Sequence, residues 1–244
     1  MSGWLAIAGL GPGDEALVTQ EVREALAQAS DVLGYTPYVA RVAPRAGLVL
    51  HASDNREELA RARHALRLAA EGRRAVIVSS GDPGVFAMAA AVFEVLEEEP
   101  EWLALDVRVL PGITAMLAAA ARAGAPLGHD FCAINLSDNL KPWALIEKRL
   151  RLAAQADFAM AFYNPRSLAR PEGFGRALSV LREECAPERL VIFARAVSTQ
   201  QERIVTVTLA EATPEMADMR TMVLVGNSAT RKAGRFVYTP RAAP

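Results

Sequence analysis

The stretch Ala75-Val-Ile-Val-Ser-Ser-Gly-Asp-Pro-Gly84 carries the clearest information about the fold. Its first four residues form an apolar run without alternation, which is typical of a strand buried on both faces of a parallel sheet. The run passes directly into a loop of small and turn-forming residues, and a helical pattern then continues to about Glu99. The stretch therefore predicts one strand-loop-helix unit of an α/β domain.

The same order of elements recurs on both sides of this unit. The pattern predicts strands over 4–8, 31–34 and 105–110, and helices over 19–29, 54–72 and 113–123. Thr19 is the predicted cap of the first helix, and Asp54 or Asn55 is the predicted cap of the second. We expect an α/β domain with a doubly wound, mostly parallel sheet over residues 1–124.

The pattern changes after Gly124. Residues 125–139 are rich in Gly, Pro, Asp and Asn, and we predict that they form the junction between two domains. The remaining chain, 140–240, is predicted to be a second α/β domain with a mixed sheet: helices over 142–154 and 174–185, and strands over 158–163, 190–194, 203–208 and 221–225. The tail after Tyr238 is expected to lack order.

Composition excludes several classes of protein. The chain has 244 residues, of which 52% are hydrophobic and 23% charged, so it can build a large core. A net charge of −1 with interspersed signs gives no indication of binding to nucleic acid or a membrane surface. Two cysteines and three scattered histidines predict neither a disulfide framework nor a metal site, and a reduced cytoplasm is the expected compartment. No apolar run approaches the roughly 20 residues that span a bilayer.

Three loops of small residues follow predicted strands: the first loop, Gly9–Asp14, the second loop, Ser79–Gly84, and the third loop, Pro111–Ala115. Open α/β sheets bind ligands at such positions. The dinucleotide fingerprint requires glycine where Asp14 stands, and Pro12 lacks an amide donor for a pyrophosphate. Together the loops predict a pocket for a compact ligand with a cation and an adenosine. A nicotinamide or flavin site and purely structural turns remain alternatives.

The second loop also has a structural reading of its own. Asp82 can cap the following helix or hold a ligand hydroxyl, and Pro83 suits the first helical position.

The loops, read as GLGPGD, SSGDPGVF and PGITA, resemble the tetrapyrrole methylase family over nearly the whole chain. Further stretches resemble the branch that methylates carbon 17 of the corrin precursor precorrin-3B, namely residues 33–38, 53–56, 128–131, 136–143 and 162–165. The resemblance implies S-adenosylmethionine as methyl donor, two α/β domains with the cofactor in a cleft between them, and a homodimer. It also implies contraction of the macrocycle to give precorrin-4, in cobalamin synthesis, with transient contacts to neighbouring pathway enzymes.

The resemblance also implies site residues. The cofactor contacts are expected at Pro12, Ser80, Gly81, Asp82, Val85, Thr114, Ala115, Asn164 and Val197. Ring contraction requires proton transfer, for which the candidates are Asp14, Ser80, Asp82 and Asp138. Lys141 and Arg166 are candidates for binding substrate carboxylates. Asp14 and Asp138 could instead be helix caps.

Two other functions compete with this one. The chain could methylate another corrin position, or it could bind a corrin intermediate without catalysis. All three loops are intact in the sequence, which favours an enzyme over a binding protein.

Overall fold

The computed structural model describes residues 3–242. The chain divides into two compact units, Met1–Thr114 and Ala115–Pro244. This division lies ten residues before the predicted boundary at Gly124. Residues 125–139 also differ from the expected junction, because they contribute strands to two sheets of the second unit.

The first unit is built on one sheet of five parallel strands. The strands are β1 (Trp4–Gly9), β2 (Asp31–Tyr35), β3 (Val49–Ser53), β4 (Arg74–Ser79) and β5 (Asp106–Leu110). Their order across the sheet is β3-β2-β4-β1-β5. The helices are α1 (Gln20–Gln28), α2 (Thr36–Val39), α3 (Glu58–Ala70) and α4 (Met88–Glu98), with short 3-10 helices at Glu15–Leu17 and Pro100–Trp102.

The centre of this sheet is buried on both faces, as the unalternating apolar runs predict. Leu5, Ile7 and Ile77 pack in a core cluster with residues of α3 and α4. Alternate residues of the same strands, among them Ala6 and Val78, pack in a second cluster on the other face. Two apolar layers therefore fix β1 and β4 as the middle of the unit.

The second unit contains a mixed sheet, which confirms that prediction. Its order is β10-β9-β11-β8-β7, formed by β7 (Phe131–Asn135), β8 (Ala159–Tyr163), β9 (Leu190–Arg195), β10 (Arg203–Thr208) and β11 (Thr221–Val225). A smaller sheet joins β6 (Gly124–Ala125), β12 (Arg231–Ala233) and β13 (Phe236–Tyr238) in the order β12-β13-β6. The helices are α5 (Ala115–Ala123), α6 (Trp143–Gln155) and α7 (Gly173–Glu184), with a 3-10 helix at Pro214–Met216.

Several local predictions are wrong at the helix starts. Helix α3 begins at Glu58, because Asp54 and Asn55 accept the N–H groups of the residues that follow each of them and form a turn instead of a cap. Helix α4 begins at Met88 and not near Pro83. Thr19 does cap α1, since its hydroxyl accepts the N–H of Val22.

The predicted disorder of the tail is also wrong where the structure describes it. Thr239 is 3% exposed, and its hydroxyl donates to the carbonyl oxygen of Pro126 at 2.6 Å. Residues 243–244 lie outside the described part of the chain.

A buried carboxylate stands at the start of β2. Asp31 is 1% exposed and accepts hydrogen bonds from Arg73 Nε at 2.8 Å and Ser30 Oγ at 2.7 Å, while His51 Nε2 lies 2.9 Å from its other oxygen. Burial alone would raise the pKa of Asp31, but the hydrogen bonds from Arg73, His51 and Ser30 outweigh it and lower the pKa to about 2. Asp31 is therefore ionised in the folded protein at neutral pH.

Within residues 3–242, no helix is long and apolar enough to cross a membrane.

Candidate active site

The five strands of the first sheet are parallel, so all the loops that follow them lie at the same edge of the sheet, the one formed by the carboxyl ends of the strands. The first, second and third loops follow β1, β4 and β5, and these strands are neighbours in the order β4-β1-β5. The topology thus brings the three predicted loops side by side, at the edge where open α/β sheets bind ligands.

The three loops pack backbone against backbone at three glycines. A Cβ atom added to Gly9 would lie 2.5 Å from the carbonyl oxygen of Gly81. One added to Gly112 would lie 2.1 Å from the same oxygen and 2.8 Å from Gly9 Cα. Real Cβ atoms do not approach backbone atoms this closely, so only glycine fits at Gly9 and Gly112.

Hydrogen bonds join the first and second loops. The Gly81 N–H donates to the Gly11 carbonyl at 2.9 Å, and the Gly11 N–H donates back to the Gly81 carbonyl at 3.2 Å. Both residues have left-handed backbone, with φ of 66° at Gly11 and 65° at Gly81, which glycine adopts without strain. The two loops are consequently held as one unit.

Asp82 connects the second loop to the third. Its Oδ1 accepts the N–H of Gly84 at 2.8 Å, and its Oδ2 accepts the N–H of Gly112 at 3.0 Å. The prediction that Asp82 caps the following helix is wrong, because both oxygens bond to loop amides. Lone pairs remain on both oxygens, so the predicted contact to a ligand hydroxyl stays a prediction.

Asp14 closes the first loop and also acts as a cap. Its carboxylate accepts the N–H of Ala16 at 2.8 Å and so caps the 3-10 helix Glu15–Leu17. The side chain is exposed, and only its Oδ1 atom has a partner within residues 3–242. Asp14 is therefore a cap, which is one of its two predicted roles, and its Oδ2 atom remains available to a ligand.

The remaining predicted residues of this edge are small or partly covered. Pro12, Ser80 and Val85 are half-buried, whereas Thr114 is 6% exposed. Ser80 Oγ has no hydrogen-bond partner among residues 3–242, so it is a donor and acceptor available to a ligand. Ala115 is the first residue of α5 and belongs to the second unit.

Strands β7, β8 and β9 of the second unit also end at one edge of their sheet. β7 and β8 are parallel, and β8 and β9 are both antiparallel to β11, which lies between them. Asn164 follows β8, and Val197 lies two residues after the end of β9. The topology therefore places these two predicted contacts at the same edge.

The loops after β7 and β8 are bonded to each other where they begin. The Leu136 N–H donates to the Tyr163 carbonyl at 3.0 Å, and Asn164 Nδ2 donates to Asn135 Oδ1 at 3.1 Å. Asn164 has a left-handed φ of 52°. Asn135, which the sequence did not single out, therefore fixes the amide of Asn164.

Val197 lies in a strained turn. It is 5% exposed, and its neighbours Ala196 and Ser198 have φ of 49° and 61°, a conformation that costs non-glycine residues roughly 1–2 kcal/mol. Glu202 Oε2 accepts the Ser198 N–H at 2.6 Å, which helps to hold the turn. Backbone strain of this kind is frequent at ligand sites.

The loops after β7 and β8 carry the other three predicted residues of this unit. Asp138 is exposed, and it does not cap α6, whose cap position is Pro142. Lys141 is half-buried without an ion pair among residues 3–242, and burial, then the charge of Arg149, lowers its pKa. Arg166 is half-buried and donates from Nε to the Pro171 carbonyl at 3.2 Å.

No group of three or more His, Cys, Asp or Glu side chains is arranged to hold a metal ion in the described part of the chain. The rings of His51 and His64 do meet edge to face, with centroids 4.8 Å apart.

Comparisons with known proteins place the chain in a family. Residues 5–213 match the model for Tetrapyrrole (Corrin/Porphyrin) Methylases. The chain belongs to the tetrapyrrole methylases. A precorrin-3B C(17)-methyltransferase of Sinorhizobium sp is 51% identical over 247 residues, which cover 99% of this chain and 97% of that relative. The crystal structure of the methyltransferase CobJ matches with a TM-score of 0.97 at 69% identity, over 98% of this chain and 100% of that one.

A more distant solved structure shows similarity of the fold. Uroporphyrin-III C-methyltransferase from Thermus thermophilus, complexed with S-adenyl homocysteine, matches with a TM-score of 0.68 at 22% identity. The match covers 92% of this chain and 97% of that one. Every site residue predicted from the sequence lies inside the range that matches the tetrapyrrole methylase model.

The sequence of this tetrapyrrole methylase did not predict a role for two arginines that contact loops of the first unit. Arg61 is 6% exposed and donates from Nε to Ser53 Oγ at 2.8 Å and from Nη2 to the Asp54 carbonyl at 2.7 Å. Burial lowers its pKa. Arg41 donates to carbonyls of the first loop. Nothing in the sequence distinguishes either residue from the other arginines: the partners of Arg41 are backbone carbonyls, and those of Arg61 are one backbone carbonyl and the side chains of Ser53 and Met88.

Proposed function

We propose that this chain is the S-adenosylmethionine-dependent methyltransferase that methylates carbon 17 of precorrin-3B and contracts the macrocycle to precorrin-4 in cobalamin synthesis. The relative of that name supports the proposal most strongly, because it matches at 51% identity over nearly the full length of both chains. The glycine loops of the first unit support the methyltransferase part of the proposal, since they lie at the strand ends where open α/β sheets bind ligands.

The residues of that edge fit the proposed cofactor. The three loops present small side chains and backbone groups in place of phosphate-binding lysines, and Ser80 and Asp82 offer polar atoms for the hydroxyls of an adenosine. The contacts assigned to this cofactor are Pro12, Ser80, Gly81, Asp82, Val85, Thr114, Ala115, Asn164 and Val197. S-adenosylmethionine, when bound, supplies an electrophilic methyl group.

Methyl transfer then depends mainly on alignment. The loops hold the methyl donor against the nucleophilic carbon, and positioning of this kind is worth several kcal/mol, up to about 7–11. The close backbone packing at Gly9, Gly81 and Gly112 makes the loops rigid, and accurate positioning requires rigid loops.

Ring contraction has a second requirement, because a hydroxyl proton must leave as a carbon–carbon bond migrates and the carbon–oxygen bond of a lactone breaks to release its carboxylate. Asp14 is the residue to which we assign this proton transfer, since its exposed carboxylate keeps one oxygen without a protein partner in the described chain. Ser80, Asp82 and Asp138 are the alternatives. Lys141 and Arg166 are assigned to substrate carboxylates, and Lys141 suits the role because it is a half-buried cation without an acidic partner in residues 3–242.

The deciding experiment incubates the purified protein with precorrin-3B and S-adenosylmethionine labelled in its methyl group. We expect one labelled methyl at carbon 17 and a contracted product, located by NMR and mass. Label at another carbon would assign a different corrin position. Tight binding of precorrin-3B without transfer would assign a binding protein, and both results would refute the proposal.

Asp14→Asn separates the two halves of the reaction. Asparagine caps as well as aspartate, so the variant should fold and bind S-adenosylhomocysteine like the wild type. It should lose formation of the contracted product and accumulate an uncontracted species. A normal yield of contracted product would remove Asp14 from the mechanism and direct the next test to Asp82 or Asp138.

We further propose that the chain works as a homodimer, since two-fold dimers are the commonest assembly of soluble enzymes. Sedimentation at micromolar concentration should give twice the monomer mass. A monomer mass under those conditions would contradict the proposal.

A further inference from the structure

Arg41 follows β2 and α2 in the chain and contacts the first loop, which follows β1. It lies two residues after α2, in the segment that follows β2, and β4 separates β2 from β1 in the sheet. Its Nη2 donates to the carbonyl oxygens of Leu10 at 2.5 Å and Gly13 at 3.2 Å, and its Nη1 donates to that of Gly11 at 3.3 Å. One guanidinium therefore binds three carbonyls of the first loop.

We propose that Arg41 is a positioning residue that fixes the first loop for cofactor binding. The three carbonyls flank Pro12, the cofactor contact assigned to this loop, so the inference rests on the proposed function. The loop contains three glycines and has few side chains of its own to restrain it. Its reciprocal bonds with Gly81 hold Gly11, whereas Arg41 holds the carbonyls on both sides of that point.

The charge of Arg41 strengthens this hold. Burial lowers the pKa of Arg41, but a guanidinium remains charged at any physiological pH. No carboxylate within residues 3–242 lies within ion-pair distance of it, so its hydrogen bonds go to the loop carbonyls. Charge-assisted hydrogen bonds are roughly twice as strong as neutral ones. A lysine could not reproduce the fork, because its ammonium is a point charge.

Arg45 provides a matched control within the same chain. Its Nη2 also donates to three carbonyls, those of Leu26 at 2.8 Å, Ala27 at 3.0 Å and Ala29 at 2.7 Å. These carbonyls lie at the end of α1, just before the start of β2, at the sheet edge opposite the three loops. Arg45 therefore makes the same kind of contact where no cofactor loop is present.

The test compares Arg41→Met, Arg41→Lys and Arg45→Met with the wild type. Calorimetry with S-adenosylhomocysteine should show the Kd raised at least tenfold by Arg41→Met and by an intermediate factor by Arg41→Lys. Arg45→Met should stay within twofold of the wild type. Steady-state rates should show a raised KM for S-adenosylmethionine in the Arg41 variants, with a smaller change in kcat.

Hydrogen–deuterium exchange of the peptide spanning residues 9–17 provides a readout that needs no ligand. Arg41→Met should accelerate exchange there and Arg45→Met should not. If the wild type binds no S-adenosylhomocysteine, the proposed function fails, while exchange still tests the hold of Arg41 on the loop. Unchanged exchange in Arg41→Met, or equal loss of affinity in both methionine variants, would overturn the inference. Should Arg41→Met fail to fold, Arg41→Lys decides by the same two measurements.

Discussion

Replacing Gly112 with alanine adds one methyl group at the point where the three loops meet. Its Cβ would lie 2.1 Å from the Gly81 carbonyl oxygen and 2.8 Å from both Cα and O of Gly9, and all of these atoms are backbone. An ordinary contact begins at 3.4 Å, so the third loop must move by roughly 1.3 Å to accept the methyl group. No rotamer change can provide that space.

Two consequences follow from a displacement of this size. Overpacking of a close-packed region costs about 1–3 kcal/mol in the free energy of unfolding. A misplacement of about 1 Å at a positioning site can cost about 100-fold in function. We therefore expect Gly112→Ala to bind S-adenosylhomocysteine at least tenfold more weakly and to transfer methyl groups about 100-fold more slowly.

Gly47→Ala is the control for a general glycine effect. Gly47 has a φ of 78° and no atom within 4 Å of an added Cβ, so alanine there meets strain but no obstruction. The strain costs about 1–2 kcal/mol, comparable to the expected loss at Gly112. Calorimetry and urea unfolding of both variants separate stability from affinity. Equal S-adenosylhomocysteine affinity in Gly112→Ala and Gly47→Ala would refute the reasoning.

Three further predictions concern single polar groups. Asp82→Asn keeps one acceptor oxygen and loses the other, so the hydrogen bond to the Gly112 N–H weakens. Calorimetry should show about tenfold lower affinity for S-adenosylhomocysteine, a loss of about 1.4 kcal/mol of binding free energy. Unchanged affinity would contradict this prediction. Asp31→Asn should lose about 2 kcal/mol of unfolding free energy at pH 7, because the lowered pKa of Asp31 gives stability that is present above pH 3.8 and lost as pH falls toward 2. Urea unfolding measures this free energy for the variant and the wild type. If the difference between them stayed constant down to pH 2, the prediction for Asp31 would be wrong. Lys141→Met should raise the KM for precorrin-3B about tenfold and leave that for S-adenosylmethionine unchanged; equal shifts in both would remove Lys141 from the substrate site.

The sequence predicts the centre of the first unit well, for a physical reason. The central residues of β1 and β4, 5–8 and 75–78, are buried on both faces and are all apolar, so the pattern is clear. Strand β3 was missed because it lies at the sheet edge, where Val49 is 45% and Leu50 37% exposed and no alternation marks a buried face. The edge strands β5 and β10 were nevertheless predicted, over 105–110 and 203–208, so the edge position alone does not hide a strand.

The three loops were also predicted only in part. Their positions follow from strand ends and could be predicted, but the bonds that join them could not. A helix cap was one of the two roles predicted for Asp82, because capping is a local pattern, whereas its bond to Gly112 spans 30 residues. The domain boundary was placed after α5 for a similar reason, since only contacts made far along the chain assign that helix to the second unit.

The sheet order has a consequence for synthesis of the chain. Strand β1 pairs Trp4 with Arg74 on one side and with Asp106 on the other, so both of its neighbours are made long after it. At roughly 5–20 residues per second, about 5–20 s pass between the emergence of β1 and that of β5 from the ribosome. Both edges of this apolar strand are open until β4 emerges, and one edge stays open until β5 emerges. An open apolar edge of this kind favours aggregation or chaperone binding. Among the strands of the first sheet, β1 is thus the one that waits longest for both of its partners.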